Sequence, residues 1–108
     1  MNNIKEISVQ SLNKKINNNE NFQLIDVREN QELEISKISN ATHIPMATIP
    51  DNINKIDFSN PVVIMCKSGG RSAQVCQYLI DQGYSNIYNL KGGIINWALE
   101  IDPDMDIY

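Results

Sequence analysis

Apolar positions along this chain follow two rhythms. Short aliphatic runs at residues 4–8, 22–27 and 61–65, with a fourth over 86–89, read as strands. Between them the apolar residues sit three and four apart, as a helix requires. Leu12 and Ile16 follow Ser8, whose hydroxyl suits the N-cap of a helix over 9–17 that Asn17-Asn18-Asn19 breaks. A short helix is expected over 31–35, and Ala73, Cys76, Leu79 and Ile80 mark the apolar face of a helix over 72–82, ended by Gly83. Residues 38–45 read as a loop with a short strand. Residues 49–60, broken by Pro50 and Asp51, carry Ile53 and Ile56 at helical spacing and read as a short helix or turn. Pro61 can open its strand, because a first residue need not donate to the ladder. Lys91-Gly92-Gly93 reads as a turn into a last helix through Trp97 and Leu99, and the acidic stretch from Asp102 to Asp106 is expected to be exposed and mobile. Strands that alternate with helices imply an α/β domain.

The most apolar strand, Pro61 to Met65, runs straight into Cys66-Lys67-Ser68-Gly69-Gly70-Arg71-Ser72 and then into a helix. In an open α/β sheet ligands bind beyond the carboxyl ends of the strands, and a helix start offers unpaired N–H groups and a positive dipole end. A cysteine in such a place, with cationic neighbours, can have its pKa lowered from ~8.5 into the range of about 3.5–7.5, and the thiolate is the reactive species. Lys67 and Arg71 supply the cations. Gly69 and Gly70 can take positive φ and turn N–H groups inward to form an anion-binding concavity, Ser68 and Ser72 add hydroxyl donors, and Ser72 is also a candidate cap for the helix. The segment reads as a place to hold negative charge on sulfur.

Composition narrows the setting. The chain has 108 residues, 42% hydrophobic and 20% charged, which is enough for one domain with a core over about residues 4–100. A net charge of -4 gives no support for nucleic-acid or anionic-membrane binding, so the cations around Cys66 are a local feature of an acidic chain. The first six residues lack a signal-peptide core and no run approaches the ~20 apolar residues of a membrane span, so a cytoplasmic location is expected. With two cysteines and a reducing compartment, Cys66 is read as a free thiol and Cys76 as a small core residue.

The Cys66–Ser72 segment resembles the active-site loop of the rhodanese sulfurtransferases. Two flanking segments agree with that family in order and sequence: Leu24-Ile25-Asp26-Val27-Arg28-Glu29 and Leu90-Lys91-Gly92-Gly93-Ile94-Ile95-Asn96-Trp97. The resemblance covers the chain from about Leu24 to Trp97. It implies a mainly parallel sheet of about five strands with helices on both faces. It also implies transfer of sulfane sulfur from thiosulfate or a persulfide donor to cyanide or a thiol, including a protein thiol, through a persulfide on Cys66. Lys67, Ser68, Gly69, Gly70, Arg71 and Ser72 would form the anion-binding loop, with no metal and no organic cofactor. A persulfide carrier that delivers sulfur to a partner protein is the alternative from another class. Cysteine phosphatases and arsenate reductases of related fold place five residues between cysteine and arginine; here there are four, Lys67 to Gly70, a ring that suits a sulfur atom better than a tetrahedral oxyanion.

Three further residues invite a catalytic reading. Asp26 and Arg28 flank the end of a strand at the same sheet edge, where a structural ion pair or loop anchor is the simpler assignment. His43, the one histidine, could pair with Cys66, but a thiolate held by a loop and a helix end needs no base. His43 also stands outside the family's histidine position: where rhodaneses carry Gly-His-Ile-Pro-Gly-Ala, this chain reads Ser36-Lys37-Ile38-Ser39-Asn40-Ala41. Gly92 and Gly93 are read either as turn geometry or as small residues that let their backbone approach the Cys66 loop.

Overall fold

Val62–Met65 is buried at all four positions, as an interior strand with helices on both sides demands. The computed structural model describes residues 4–108. It places this strand, β4, at the centre of a five-stranded parallel sheet with β1 (Lys5–Ile7), β2 (Gln23–Asp26), β3 (Thr42–His43) and β5 (Ile87–Leu90), in the order β1-β5-β4-β2-β3. Every pairing is parallel, so each connection crosses over; the helices α1 (Val9–Asn17), α2 (Asn30–Ile35) and α3 (Gly70–Asp81) lie in the β1–β2, β2–β3 and β4–β5 crossovers, and α4 (Gly93–Glu100) follows β5. Two 3₁₀ turns, Met46–Asp51 and Ile53–Lys55, lead from β3 towards β4.

The period of two along each strand divides the core into two layers. Ile25, Val62, Ile64 and Ile87 pack on one face with Val75, Cys76 and Leu79 of α3 and Ile49 of the first 3₁₀ turn. Leu24, Val63, Met65 and Leu90 pack on the other with Val9 and Leu12 of α1 and Ile94 and Trp97 of α4. At the register Asp26↔Met65, β2 and β4 end side by side. Asp26, Val27 and Arg28 therefore leave the sheet beside Cys66.

The Ser8 hydroxyl caps α1 as its sequence suggests, accepting the Ser11 N–H at 3.1 Å. Gly83, at φ +95°, follows α3 in the left-handed conformation that ends a helix. Four expectations need correction. The catalytic-side helix begins at Gly70, two residues before Ser72, because Gly69 at φ +112° turns the chain into it; Ser72 lies inside the first turn and does not cap it. The buried face of α3 is Ser72, Val75, Cys76 and Leu79, since the turn rotates Ser72 towards the sulfur and leaves Ala73 and Ile80 half-buried. The last strand runs one residue later than expected, which brings Leu90 into the core. Finally, the acidic tail is anchored: Asp104 and Asp106 are exposed, but Met105 and Tyr108 pack against the core layer of α1 and α4.

Candidate active site

The loop closes around sulfur. Gly69 donates its N–H to Cys66 Sγ at 3.1 Å, Ser72 donates its N–H at 3.4 Å, and Ser72 Oγ lies 3.2 Å away. Both N–H groups belong to the N-terminal end of α3, where the helix dipole adds positive potential. Among the described residues the N–H groups of Lys67, Ser68, Gly70 and Arg71 find no partner, those of Gly70 and Arg71 being orphan donors of a helix start. Of the two loop glycines only Gly69 uses the left-handed region; Gly70 is helical. Cys66 is 1% exposed, so a group that reaches Sγ must be small.

The carbonyls of the loop point the other way and are satisfied by the last turn of the fold. Ile94 and Ile95, at the start of α4, donate their N–H groups to the carbonyls of Cys66 at 3.0 Å and Lys67 at 3.2 Å. Gly93 makes this approach possible, because a Cβ there would stand 2.4 Å from the Lys67 carbonyl oxygen and 2.5 Å from that of Cys66. Gly92, at φ +78°, serves the turn: a Cβ there would collide with the Asn96 side chain, which reaches back to the Lys91 carbonyl. Beneath the loop stands Asn89 of β5, 3% exposed. Its amide nitrogen donates to the Gly69 carbonyl at 3.1 Å, and its oxygen accepts the Ser72 hydroxyl at 2.5 Å. With that hydroxyl hydrogen engaged, Ser72 Oγ presents lone pairs towards Cys66, placed to receive the proton of a thiol.

Charge is arranged around the loop's rim. Arg71 makes a two-pronged bond with Glu32 of α2, Nη1 to Oε1 at 2.6 Å and Nη2 to Oε2 at 2.8 Å. The Arg71 guanidinium holds the Glu32 carboxyl at about 2, against the opposing effect of burial, and Glu32 in turn raises Arg71 above its ordinary value. Glu32 also accepts the Glu29 N–H at 2.9 Å, tying the rim to the start of α2. Asp26 and Arg28 form a fully buried ion pair, with Arg28 Nη2 2.7 Å from Asp26 Oδ2. Arg28 also donates to the Ser36 carbonyl at 2.8 Å, so the pair anchors the segment after α2, the simpler of the two readings above. Tyr108 joins the two charge pairs: its hydroxyl accepts from Arg28 Nη1 at 3.0 Å and donates to Glu32 Oε2 at 2.7 Å, while Lys67 Nζ lies 4.5 Å from its ring centre.

The structure gives His43 a partner other than the sulfur. His43 lies in β3 with Nε2 2.6 Å from the Arg28 carbonyl oxygen, and among the described residues no bond joins it to Cys66. Cys76 is buried in the α3 core, and burial, with the Cys66 charge adding to it, pushes its thiol up to about 12. Both cysteines are free. No group of three or more His, Cys, Asp or Glu side chains converges as metal ligands among the described residues. Sequence reasoning missed Glu32, Asn89 and Tyr108, although a lone polar residue inside an otherwise apolar strand is a usable signal at Asn89.

A parallel α/β sheet with a four-residue span between cysteine and arginine, its loop held at the N-terminal end of a helix, agrees with a rhodanese-like domain. The family model of that name, Rhodanese-like domain, matches residues 8–100, and the chain belongs to this family. It is 42% identical to YtwF of Bacillus subtilis over 100 residues, covering 93% of this chain and 96% of that protein. It is 41% identical over 95 residues to a protein named Sulfurtransferase from Allochromatium vinosum, covering 88% and 89%. Among solved structures it resembles a rhodanese-like domain protein from Staphylococcus aureus, with 35% identity, a TM-score of 0.82 and coverage of 97% and 99%. The function this similarity supports is sulfur transfer.

Proposed function

We propose that this chain is a thiosulfate sulfurtransferase working through a persulfide on Cys66. The thiolate attacks the outer sulfur of thiosulfate; the S–S bond of the donor breaks, sulfite leaves with the bonding pair, and a new S–S bond joins that sulfur to Sγ. Cyanide or a thiol then attacks the outer sulfur, breaks the new bond, and returns the electron pair to Sγ as thiolate. Atoms and charge balance without an outside oxidant. The terminal persulfide sulfur is anionic, and preorganised N–H donors stabilise such charge without reorganisation.

The observation that carries this reading is the pair of N–H bonds from Gly69 and Ser72 to Sγ inside a loop whose remaining N–H groups find no partner among the described residues. Lys67 adds attraction for an anionic donor. A phosphatase reading is disfavoured by Arg71, whose guanidinium is engaged by Glu32 and so has no free fork for a phosphate. No helix among the described residues is long and apolar enough to cross a membrane, and two free thiols suit the reducing cytoplasm. Steady-state thiosulfate:cyanide turnover by the purified protein, abolished in Cys66→Ser, is the expected result. Persulfide loading with negligible turnover would favour a carrier that passes sulfur to a partner protein. Faster hydrolysis of p-nitrophenyl phosphate than sulfur transfer would overturn the assignment.

A further inference from the structure

Tyr108 touches one end of the Cys66 loop at Lys67 and reaches the other, Arg71, through Glu32, although it lies at the end of an acidic segment that sequence reasoning reads as solvent-exposed. Its ring is a platform for Lys67, the first residue after the nucleophile, with Nζ 4.5 Å from the ring centre. Its hydroxyl is the donor that reaches Glu32, and Glu32 holds Arg71 near the loop's other end. The hydroxyl has a fixed polarity. Arg28 has only N–H donors, so Tyr108 Oη must accept from it, and its single hydrogen is then free for the Glu32 carboxylate. Arg28 is itself immobilised by Asp26, with both side chains fully buried, so the chain from Asp26 through Arg28 and Tyr108 to Glu32 starts from a rigid point. Met105 packs against the α1 and α4 core layer and fixes the approach of the tail.

We propose that Tyr108 is a positioning residue for the Cys66 loop, with its ring seating the Lys67 ammonium beside the site and its hydroxyl holding Glu32, and through Glu32 the Arg71 guanidinium. The proposal rests on the sulfurtransferase reading for its kinetic consequences but not for its structural ones. The two arms are separable. Phenylalanine keeps the platform and loses the hydroxyl; leucine loses both. An ammonium seated near the loop acts on capture of an anionic donor, whereas the carboxylate–guanidinium arm acts on the rigidity of the loop that holds the sulfur.

The test compares Tyr108→Phe, Tyr108→Leu, Lys67→Met and the double variant Lys67→Met/Tyr108→Leu in the full chain. Tyr108→Leu should raise KM for thiosulfate about three- to fivefold, the scale of one cation–π contact. Tyr108→Phe should leave KM close to wild type, and Lys67→Met should raise KM with no further rise in the double variant. Amide hydrogen exchange gives the readout that does not depend on catalysis. The Gly69 and Ser72 amides should exchange about tenfold faster in both Tyr108 variants, the scale of one lost hydrogen bond, while β4 amides keep their wild-type protection. Uniformly faster exchange in β4 as well would mark a merely structural role and overturn the proposal. So would unchanged loop exchange in Tyr108→Phe, which retains the ring and stands as the test if Tyr108→Leu does not fold. A wild-type protein that takes no sulfur from thiosulfate would sink the sulfurtransferase reading and leave the exchange experiment to decide the role of Tyr108.

Discussion

At Cys66 the sulfur meets two kinds of neighbour, hydrogen-bond donors and an acceptor. The Gly69 and Ser72 N–H groups favour negative charge on Sγ. Ser72 Oγ, with its hydrogen engaged by Asn89, is an acceptor and suits the thiol. Asn89 thus sets the direction of the Ser72 hydroxyl while fixing Gly69 through its carbonyl. Removing it takes the acceptor from the buried Ser72 hydroxyl and one of two donors from the half-buried Gly69 carbonyl, which keeps only the Ala73 N–H. Asn89→Ala should therefore cost about 1–3 kcal/mol of stability and slow persulfide formation about tenfold, as read by urea denaturation and by single-turnover sulfur loading. Unchanged loading in a folded variant would show that the loop keeps its shape without Asn89. The residues most legible in the sequence were those with special chemistry, Cys66 and its glycines. Asn89, Glu32 and Tyr108 were obscure because their partners lie 17, 39 and 76 or more positions away, and no local pattern records such contacts.

Among the elements, strands and helices were readable wherever burial imposed a period: β4 is apolar throughout, and α1 follows its Ser8 cap. The start of α3 was misplaced because a glycine in the left-handed region begins that helix, where a hydroxyl cap was the expected signal. The reading of Gly93 as a close-approach residue agrees with the geometry, whereas Gly92 serves the turn. Between elements, the Glu32–Arg71 pair ties α2 to α3 across the mouth of the loop. The carboxyl, ordinarily near 4.5, is held at about 2 by its hydrogen bonds to Arg71. A carboxyl depressed on folding contributes stability that is full above its unfolded value and is lost as pH falls through its folded value. The stability advantage of the wild type over Glu32→Gln should accordingly be largest near neutral pH and shrink between about 4.5 and 2. Denaturation midpoints across that range give the check; a constant difference would mean that the ion pair contributes nothing dependent on charge.

Across the whole molecule, the site forms where β2 and β4 end together, so its two charge pairs and its sulfur share one edge of a single parallel sheet. The Asp26–Arg28 pair lies entirely inside, and loss of one member leaves an unpaired buried charge. Asp26→Ala should destabilise the fold by about 3–5 kcal/mol, measured by urea denaturation, with less than 1 kcal/mol as the contrary outcome. Because Arg28 also holds the Ser36 carbonyl and Tyr108, the same substitution should loosen α2 and the tail together. The α/β class followed from the alternation of strand and helix patterns, and the parallel sheet from the resemblance to the rhodanese family. The anchoring of the tail did not, since an acidic sequence shows its solvent-facing aspartates and conceals the two side chains, Met105 and Tyr108, that fold inward.

The most direct test of the account is the intact mass of the protein after incubation with thiosulfate, followed by peptide mapping. One added sulfur, localised to Cys66, removed by cyanide and absent from Cys66→Ser, is the predicted result. A wild-type mass unchanged by thiosulfate, or sulfur recovered on Cys76, would contradict it.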